Sequence, residues 1–177
     1  MQIRLSIVAL FALVVTIAAA EPKNGLGTKI IAFSKVNLGK QVGGGECAHL
    51  ASEALKESGG EPRAKDNPGE GDYVWGQLVV TLEAGDKGAK WKGAITDLKP
   101  GDIIQFRDAK FEGQRGKGTY FQTAPHHTAV VRTVDAANKV VKVYEQNVGG
   151  QRVVLEGEYR LSDLKAGWLR VYRAESK

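Results

Sequence analysis

Apolar residues change their spacing along the chain. Ile30, Ile31, Phe33, Ser34, Val36 and Leu38 predict a short amphipathic helix closed by Gly39. From about Glu46 to Ser58, Cys47, Leu50, Ala51, Ala54 and Leu55 recur at three and four residues and form one face of a second helix. Gly43-Gly44-Gly45 gives that helix a flexible approach, and Gly59-Gly60 stops it. Residues 61–72, with Pro62, Pro68, Gly69 and Gly71, read as a loop. Residues 78–82 predict a strand and 83–94 a further loop. The period then becomes two, predicting strands at 102–107, 127–134, 139–147, 152–155 and 168–173. Helices first and strands afterwards predict an α+β fold, with N-terminal helices packed on a mainly antiparallel sheet in a single domain.

The start of the chain has a different character. Residues 1–20 carry Arg4, then an apolar run from Leu5 broken only by Ser6 and Thr16, ending in Ala18-Ala19-Ala20. This pattern reads as a secretory signal peptide cleaved after Ala20. It is short, with small residues where a membrane anchor would continue in Leu or Ile. The expected layout is a leader at 1–20, a flexible mature start at 21–28 and one domain at 29–173. No stable membrane insertion is expected after cleavage.

Composition narrows the function. The 177 residues fit one compact domain. The charge of +5, from 25 Lys+Arg against 20 Asp+Glu, is scattered, which argues against a nucleic-acid partner. The single Cys excludes an internal disulfide framework and a Cys-rich zinc site, and nothing calls for a cofactor or metal. In an oxidising compartment that thiol links to another chain, lies inert in the core, or has chemistry to do.

Cys47 falls in the first turn of the second helix, where unpaired N–H groups and the positive dipole end favour a thiolate. Its place on the apolar face fits an inert packed thiol equally well. An ionised Glu46 beside it works against reactivity. His49 lies two residues on, about 200° around the helix, and faces elsewhere. Strand alternation separates His126 from His127 and sets His127 inward with Ala129 and Val131. Val141, Val143, Glu145 and Asn147 share the corresponding face of the next strand. A hairpin through 135–138 with odd positions opposing odd places His127 opposite, or one step from, Glu145 and Asn147. This face is expected to cover the helices, with Cys47 on the same side. Such a grouping follows the logic of a Cys–His–Asx/Glx nucleophile system.

The stretches Gly45-Glu46-Cys47-Ala48-His49-Leu50, Leu98-Lys99-Pro100-Gly101-Asp102-Ile103-Ile104-Gln105-Phe106, His127-Thr128-Ala129-Val130-Val131 and Glu145-Gln146-Asn147 occur in that order. Together they resemble the motifs of the CHAP domain, a branch of the papain-like NlpC/P60 superfamily. The resemblance implies a papain-like fold and a cysteine amidase or endopeptidase acting on peptidoglycan. It implies Cys47 as nucleophile, His127 as base, and Glu145 and Asn147 as polar partners. The family often has Gln where this chain has Glu46, and commonly Gly where it has His126. Segments 61–94 and 108–126 match nothing in the pattern.

Glu46, Tyr73 and Trp75 are weaker candidates for substrate binding, and Trp91 could line the same groove, with packing the default for tryptophan. Asp66, Asn67, Glu70 and Asp72 read as a solvated acidic turn, not a calcium loop. The expected protein is thus a secreted or cell-envelope, monomeric hydrolase with peptidoglycan or a peptide amide as substrate. The alternatives are an inactive cell-wall-binding module on the same scaffold, and a protein joined to its neighbours through Cys47.

Overall fold

The structure is a computed structural model that describes residues 25–65 and 72–177. The expected leader, and Asp66, Asn67 and Glu70 of the acidic turn, lie outside the described residues. Two helices come first, α1 (Gly25–Val36) and α2 (Cys47–Ser58). The strands are β1 (Ala64–Lys65), β2 (Tyr73–Val74), β3 (Gln77–Glu83), β4 (Lys90–Lys92), β5 (Ile103–Arg115), β6 (Gly118–Asp135), β7 (Val140–Val148), β8 (Gln151–Arg160) and β9 (Leu164–Arg173). β1 and β2 form a small ribbon. The other seven form one sheet, in the order β4-β3-β9-β5-β6-β7-β8, with every pairing antiparallel. Two helices on a large antiparallel sheet agree with the α+β expectation in outline, with strands dominating.

α2 forms where its apolar stripe predicts, whereas α1 is shifted toward the N-terminus and ends at Val36, before Leu38 and Gly39. Gly59, at φ 79, ends α2 in the left-handed conformation, and the N–H of Gly60 returns to Leu55 at 2.8 Å. α1 starts at Gly25, inside the segment expected to be a flexible start. The reason is close packing. A Cβ at Gly27 would crowd the carbonyl of Pro100, and Gly101 has no room for one against the Gly27 backbone.

Two cores result. Ile30, Leu50, Ala51, Ala54 and Leu55 of the helices pack on Ile103, Val130, Tyr144 and Val154, together with Trp75. The opposite face carries Ile104, Phe106, Phe111, Ala129, Val131, Val141, Val143 and Tyr159, all from the sheet itself. Among the described residues neither α1 nor α2 packs on this second core; short 3-10 turns at Ile95–Asp97 and Leu161–Asp163 add Ile95 and Leu161, and the sheet curls around it. The curl brings β5 and β6 to β8 and beyond it: Arg115 meets Glu158 at 2.7 Å, and Tyr120 donates to Asp163 at 2.8 Å. The expectation that the odd face of β6 and β7 covers the helices is therefore corrected. Both faces are apolar, and it is the even residues Val130 and Tyr144 that meet α2.

Residues 108–126, expected as a loop, are the far halves of the β5–β6 hairpin. β5 bends where its pairing with β9 shifts register, between Arg107 and Lys110. Asp108 sits there at φ 51 and Gly167 faces it at φ 70. A Cβ on Gly167 would overlap the Asp108 backbone. The loop expected at 83–94 holds β4, whose Trp91 packs on the sheet core.

Gly167 and Gly116 thus separate two costs of adding a methyl group. Both have positive φ, but only Gly167 is crowded. Gly116→Ala should cost about 1 kcal/mol, the conformational penalty alone. Gly167→Ala should cost about 3 kcal/mol, because overlap with the Asp108 backbone adds to it. Urea unfolding of the two variants checks the difference.

Candidate active site

The nucleophile candidate stands at a junction. Glu46 is extended at φ −80 and ψ 155, and the helix begins with Cys47. Cys47 is half-buried, and its Sγ lies 3.9 Å from the carbonyl oxygen of His126 on β6. The next side chain along β6, His127, is buried, and its imidazole acts on the Cys47 thiol. Its Nε2 lies 3.0 Å from Oε2 of Glu145. A carboxylate accepts only, so Nε2 carries the proton and Nδ1 is the nitrogen left for Cys47. The same Oε2 accepts the hydroxyl of Tyr159 at 2.8 Å.

Register produces this grouping. Ala129 opposes Glu145 and Val131 opposes Val143, which sets His127 diagonally from Glu145 on the odd face. Beyond Arg132 a bulge shifts the pairing, so Thr133 meets Lys142. Val141 opposes Tyr159 and Val143 opposes Gly157 on the other side of β7. A Cβ on Gly157 would collide with Oε1 of Glu145, so the carboxylate occupies the space that glycine leaves. Phe106, paired with His127, closes the imidazole from one side, with ring centroids 6.0 Å apart.

The electrostatics of the pair are reciprocal. Burial alone would raise the Cys47 thiol. The hydrogen bond and charge of His127, with the N–H groups of Thr128 and Ala48, hold it below its ordinary value. Burial alone would lower His127. Its bonds to Cys47 and Glu145, and their charges, raise it from 6.5 to about 9. Both shifts favour a thiolate facing an imidazolium. Burial and the neighbouring Glu145 push Tyr159 well above its usual range, so its hydroxyl stays a donor.

The other expected residues fall elsewhere. Asn147 does not reach His127. A register break between Gln146 and Val148, with Asn147 at φ 64, turns its side chain out to Glu46, where Nδ2 donates to Oε2 at 2.8 Å. The expectation that Asn147 continues the valine face is corrected by this bulge. Glu46 also pairs with Arg152, which donates in addition to the carbonyl of Gly44 at 2.8 Å. The charge beside the nucleophile is therefore compensated. Trp75 is a core residue, 1% exposed, and its indole donates to Gln105 at 3.3 Å, which corrects its assignment to a substrate groove. Tyr73 is half-buried, beneath the Arg63 guanidinium, and stacks on the exposed His126, near the sulfur. His49 accepts from the N–H of Glu46 at 3.4 Å. Asp72 is buried against Arg107, with bonds of 3.0 and 2.7 Å, which corrects its place in a solvated turn. Among the described residues, no group of three or more His, Cys, Asp or Glu is placed to hold a metal ion.

Sequence reasoning missed Tyr159, Gly157, Arg152 and Gln146. Tyr159 had a signal: it shares parity with Leu155, and strand alternation carried on from 152–155 would have brought it to the Glu145 face. Gln146 is fully buried on the opposite face. Its Oε1 accepts from the N–H of Val42 at 2.8 Å, and its Nε2 donates to the carbonyls of Val42 and Glu46 at 3.0 and 2.9 Å.

A cysteine opening a helix against a histidine on a curled antiparallel sheet is the arrangement of a cysteine-proteinase-like fold. The chain belongs to the AIM3/BBC1 cysteine proteinase-fold domain family, whose profile matches residues 20–177. It is similar to the altered inheritance of mitochondria protein 3 of Debaryomyces hansenii, at 27% identity over 154 residues, covering 85% of this chain and 16% of that one. It is also similar to the SH3 domain-containing protein C23A1.17 of Schizosaccharomyces pombe, at 32% over 83 residues, 45% of this chain and 5% of that one. The chain thus spans a small part of the length of these relatives. Two crystal structures of Ly7917, one with the hydrolyzing product of MDP, overlay 82% of this chain and 62% of theirs, at 19% and 17% identity and TM-scores of 0.46 and 0.49.

These relatives correct the expected function. A family shared with a Debaryomyces protein named for mitochondrial inheritance displaces the secreted peptidoglycan hydrolase and its wall-binding alternative. The peptidoglycan partner and the cell-envelope location fall with them. The physical reason is that short Cys, His and Glu motifs report a scaffold, while substrate is set by surfaces they do not include.

Alkylation by iodoacetamide reads the thiolate directly. Because the folded Cys47 value is lowered, its rate should stay high well below pH 9.0, the ordinary value, and fall only at lower pH. In His127→Ala the midpoint should move up to that of a free thiol or above it, because burial alone raises the thiol, as peptide mass spectrometry across pH would show. Gly157→Ala, which displaces Glu145 from behind the imidazole, should move the midpoint the same way by a smaller amount.

Proposed function

We propose that this domain is a cysteine hydrolase acting on an amide bond, with Cys47 as nucleophile, His127 as base and Glu145 as its orienting group. One observation carries this reading: the only cysteine of the chain opens α2 against the His126–Thr128 stretch of β6, where buried His127 is hydrogen-bonded to Glu145 and Glu145 to Tyr159. At this level the likeness to CHAP domains concerns the order of Cys, His and carboxylate, and not the substrate.

The chemistry follows from the geometry. The Cys47 thiolate attacks the carbonyl carbon of the amide, and the carbon–oxygen π pair moves onto oxygen. The N–H groups at the start of α2 stabilise that oxyanion. The His127 imidazolium gives its Nδ1 proton to the leaving nitrogen, and the carbon–nitrogen bond breaks to leave a thioester. Water, deprotonated by the now neutral imidazole, attacks the thioester and releases the acid and the thiolate. Glu145 holds Nε2–H throughout, so the ring cannot turn its basic nitrogen away from the sulfur. Tyr159 holds the carboxylate.

Exposure of the purified domain to a diverse peptide mixture, with products read by mass spectrometry, tests this function. Wild-type protein should give cleavages that vanish in Cys47→Ala and fall by about a thousandfold or more in His127→Ala. His126→Ala should retain them, since that ring lies on the other face of β6. Identical products from wild type and Cys47→Ala would refute hydrolysis.

A further inference from the structure

We infer that Gln146 is a positioning residue for the Cys47–His127 pair: its buried amide ties both ends of the glycine loop to β7 and fixes where the sulfur meets the imidazole. This rests on the assignment of Cys47 as the nucleophile.

The loop needs an outside restraint. Between Val42 and Glu46 stand three consecutive glycines, of which Gly43 and Gly45 have φ of 54 and 82. Such a segment holds no conformation by itself, because glycine retains the greatest backbone freedom. Yet it delivers Cys47 to a buried partner. Gln146 grips the loop at each end. Its oxygen accepts the N–H of Val42 at 2.8 Å, one N–H donates to the carbonyl of Val42 at 3.0 Å, and its second N–H donates to the carbonyl of Glu46 at 2.9 Å. That carbonyl also accepts the N–H of His49 at 3.0 Å, a bond of the first turn of α2. The amide therefore holds the peptide group that immediately precedes the nucleophile.

The other half of the argument is adjacency. Glu145 and Gln146 are consecutive on β7, so their side chains leave opposite faces of the sheet. Glu145 holds the base, and Gln146 holds the loop that carries the nucleophile. One peptide unit of β7 joins the two anchors, and a peptide unit is rigid. Misplacement by about 1 Å costs on the order of a hundredfold in rate, so an anchor of this kind governs reactivity without touching the reacting atoms.

Iodoacetamide alkylation of the full chain tests this across pH. The charged and titratable groups around Cys47 are His127 and His126 on β6, with Asp72 beside His126, His49 in the first turn of α2, Glu46 and Arg152 beside the loop, and Glu145 and Tyr159 behind the imidazole. None of the hydrogen bonds of Gln146 goes to one of these side chains. Gln146→Met keeps the volume and removes all three bonds. Gln146→Glu keeps the acceptor for Val42 and sets a carboxylate against two carbonyls. Asp102→Asn weakens a buried pair with Arg173, remote from the loop, and serves as the stability control.

Both Gln146 variants should move the alkylation midpoint up toward a free thiol and lower the rate at pH 6.5 about tenfold to a hundredfold. Asp102→Asn should keep the wild-type profile. The inference is overturned if a folded Gln146 variant keeps the wild-type midpoint, or if Asp102→Asn shifts it equally. It is also overturned if circular dichroism shows neither Gln146 variant to fold, since the residue is then purely structural. An ordinary midpoint in the wild type itself refutes the nucleophile assignment and this inference with it, and is recognised without any variant.

Discussion

A carboxylate buried inside a sheet core is the constraint around which the rest is arranged. Glu145 is 3% exposed, among Phe106, Val143 and Tyr159. A charge taken out of water needs partners, and leaving one uncompensated costs about 3–5 kcal/mol. His127 and Tyr159 are those partners, and both use Oε2. Oε1 lies against Gly157, where a larger residue would not fit. The carboxylate thus dictates a histidine on β6, a tyrosine on β8 and a glycine two residues before that tyrosine. His127, held by the carboxylate, then acts on the thiol across the end of the sheet.

β7 carries this arrangement on two faces, and that explains the two cores. Its odd residues Val141, Val143 and Glu145 line the curled interior, while its even residues Tyr144 and Gln146 face the helices and the glycine loop. α2 packs on the even face, yet its first residue reaches a histidine of the odd face. Pairing of β6 with β7 extends only to Ala129 and Glu145, so β6 near residues 126–128 is open to the start of α2. The sulfur lies there, near the His126 carbonyl and bonded by the Thr128 N–H.

Much of this was legible in the sequence, and the failures have physical causes. The stripe from Cys47 to Leu55 specified α2, and alternation set His127 and Glu145 on one side of their strands. Asn147 could not be placed, because a single bulge reverses parity and leaves no mark in composition. The face that takes the helices was ambiguous, since a strand buried on both sides has no polar side to exclude. The hairpin tips at 108–126 are polar because they reach solvent, and they resembled a loop for that reason. Substrate and location were misread because the four motifs describe the scaffold and nothing beyond its centre.

The edges of the sheet give this site a further meaning. At one end, β4 is three residues long and flanks Trp91 with Lys90 and Lys92, which discourages pairing with another chain. At the other end, β8 is guarded by the chain itself. Gly39 donates to Val154 at 2.9 Å, and Val154 donates to Lys40 at 2.9 Å, just ahead of the glycine loop. The segment that delivers the cysteine is thus a partial eighth strand. A foreign strand joining at Val154 would first have to peel it away. Growth of the sheet along this edge would compete for the hydrogen bonds that hold the segment leading into the glycine loop.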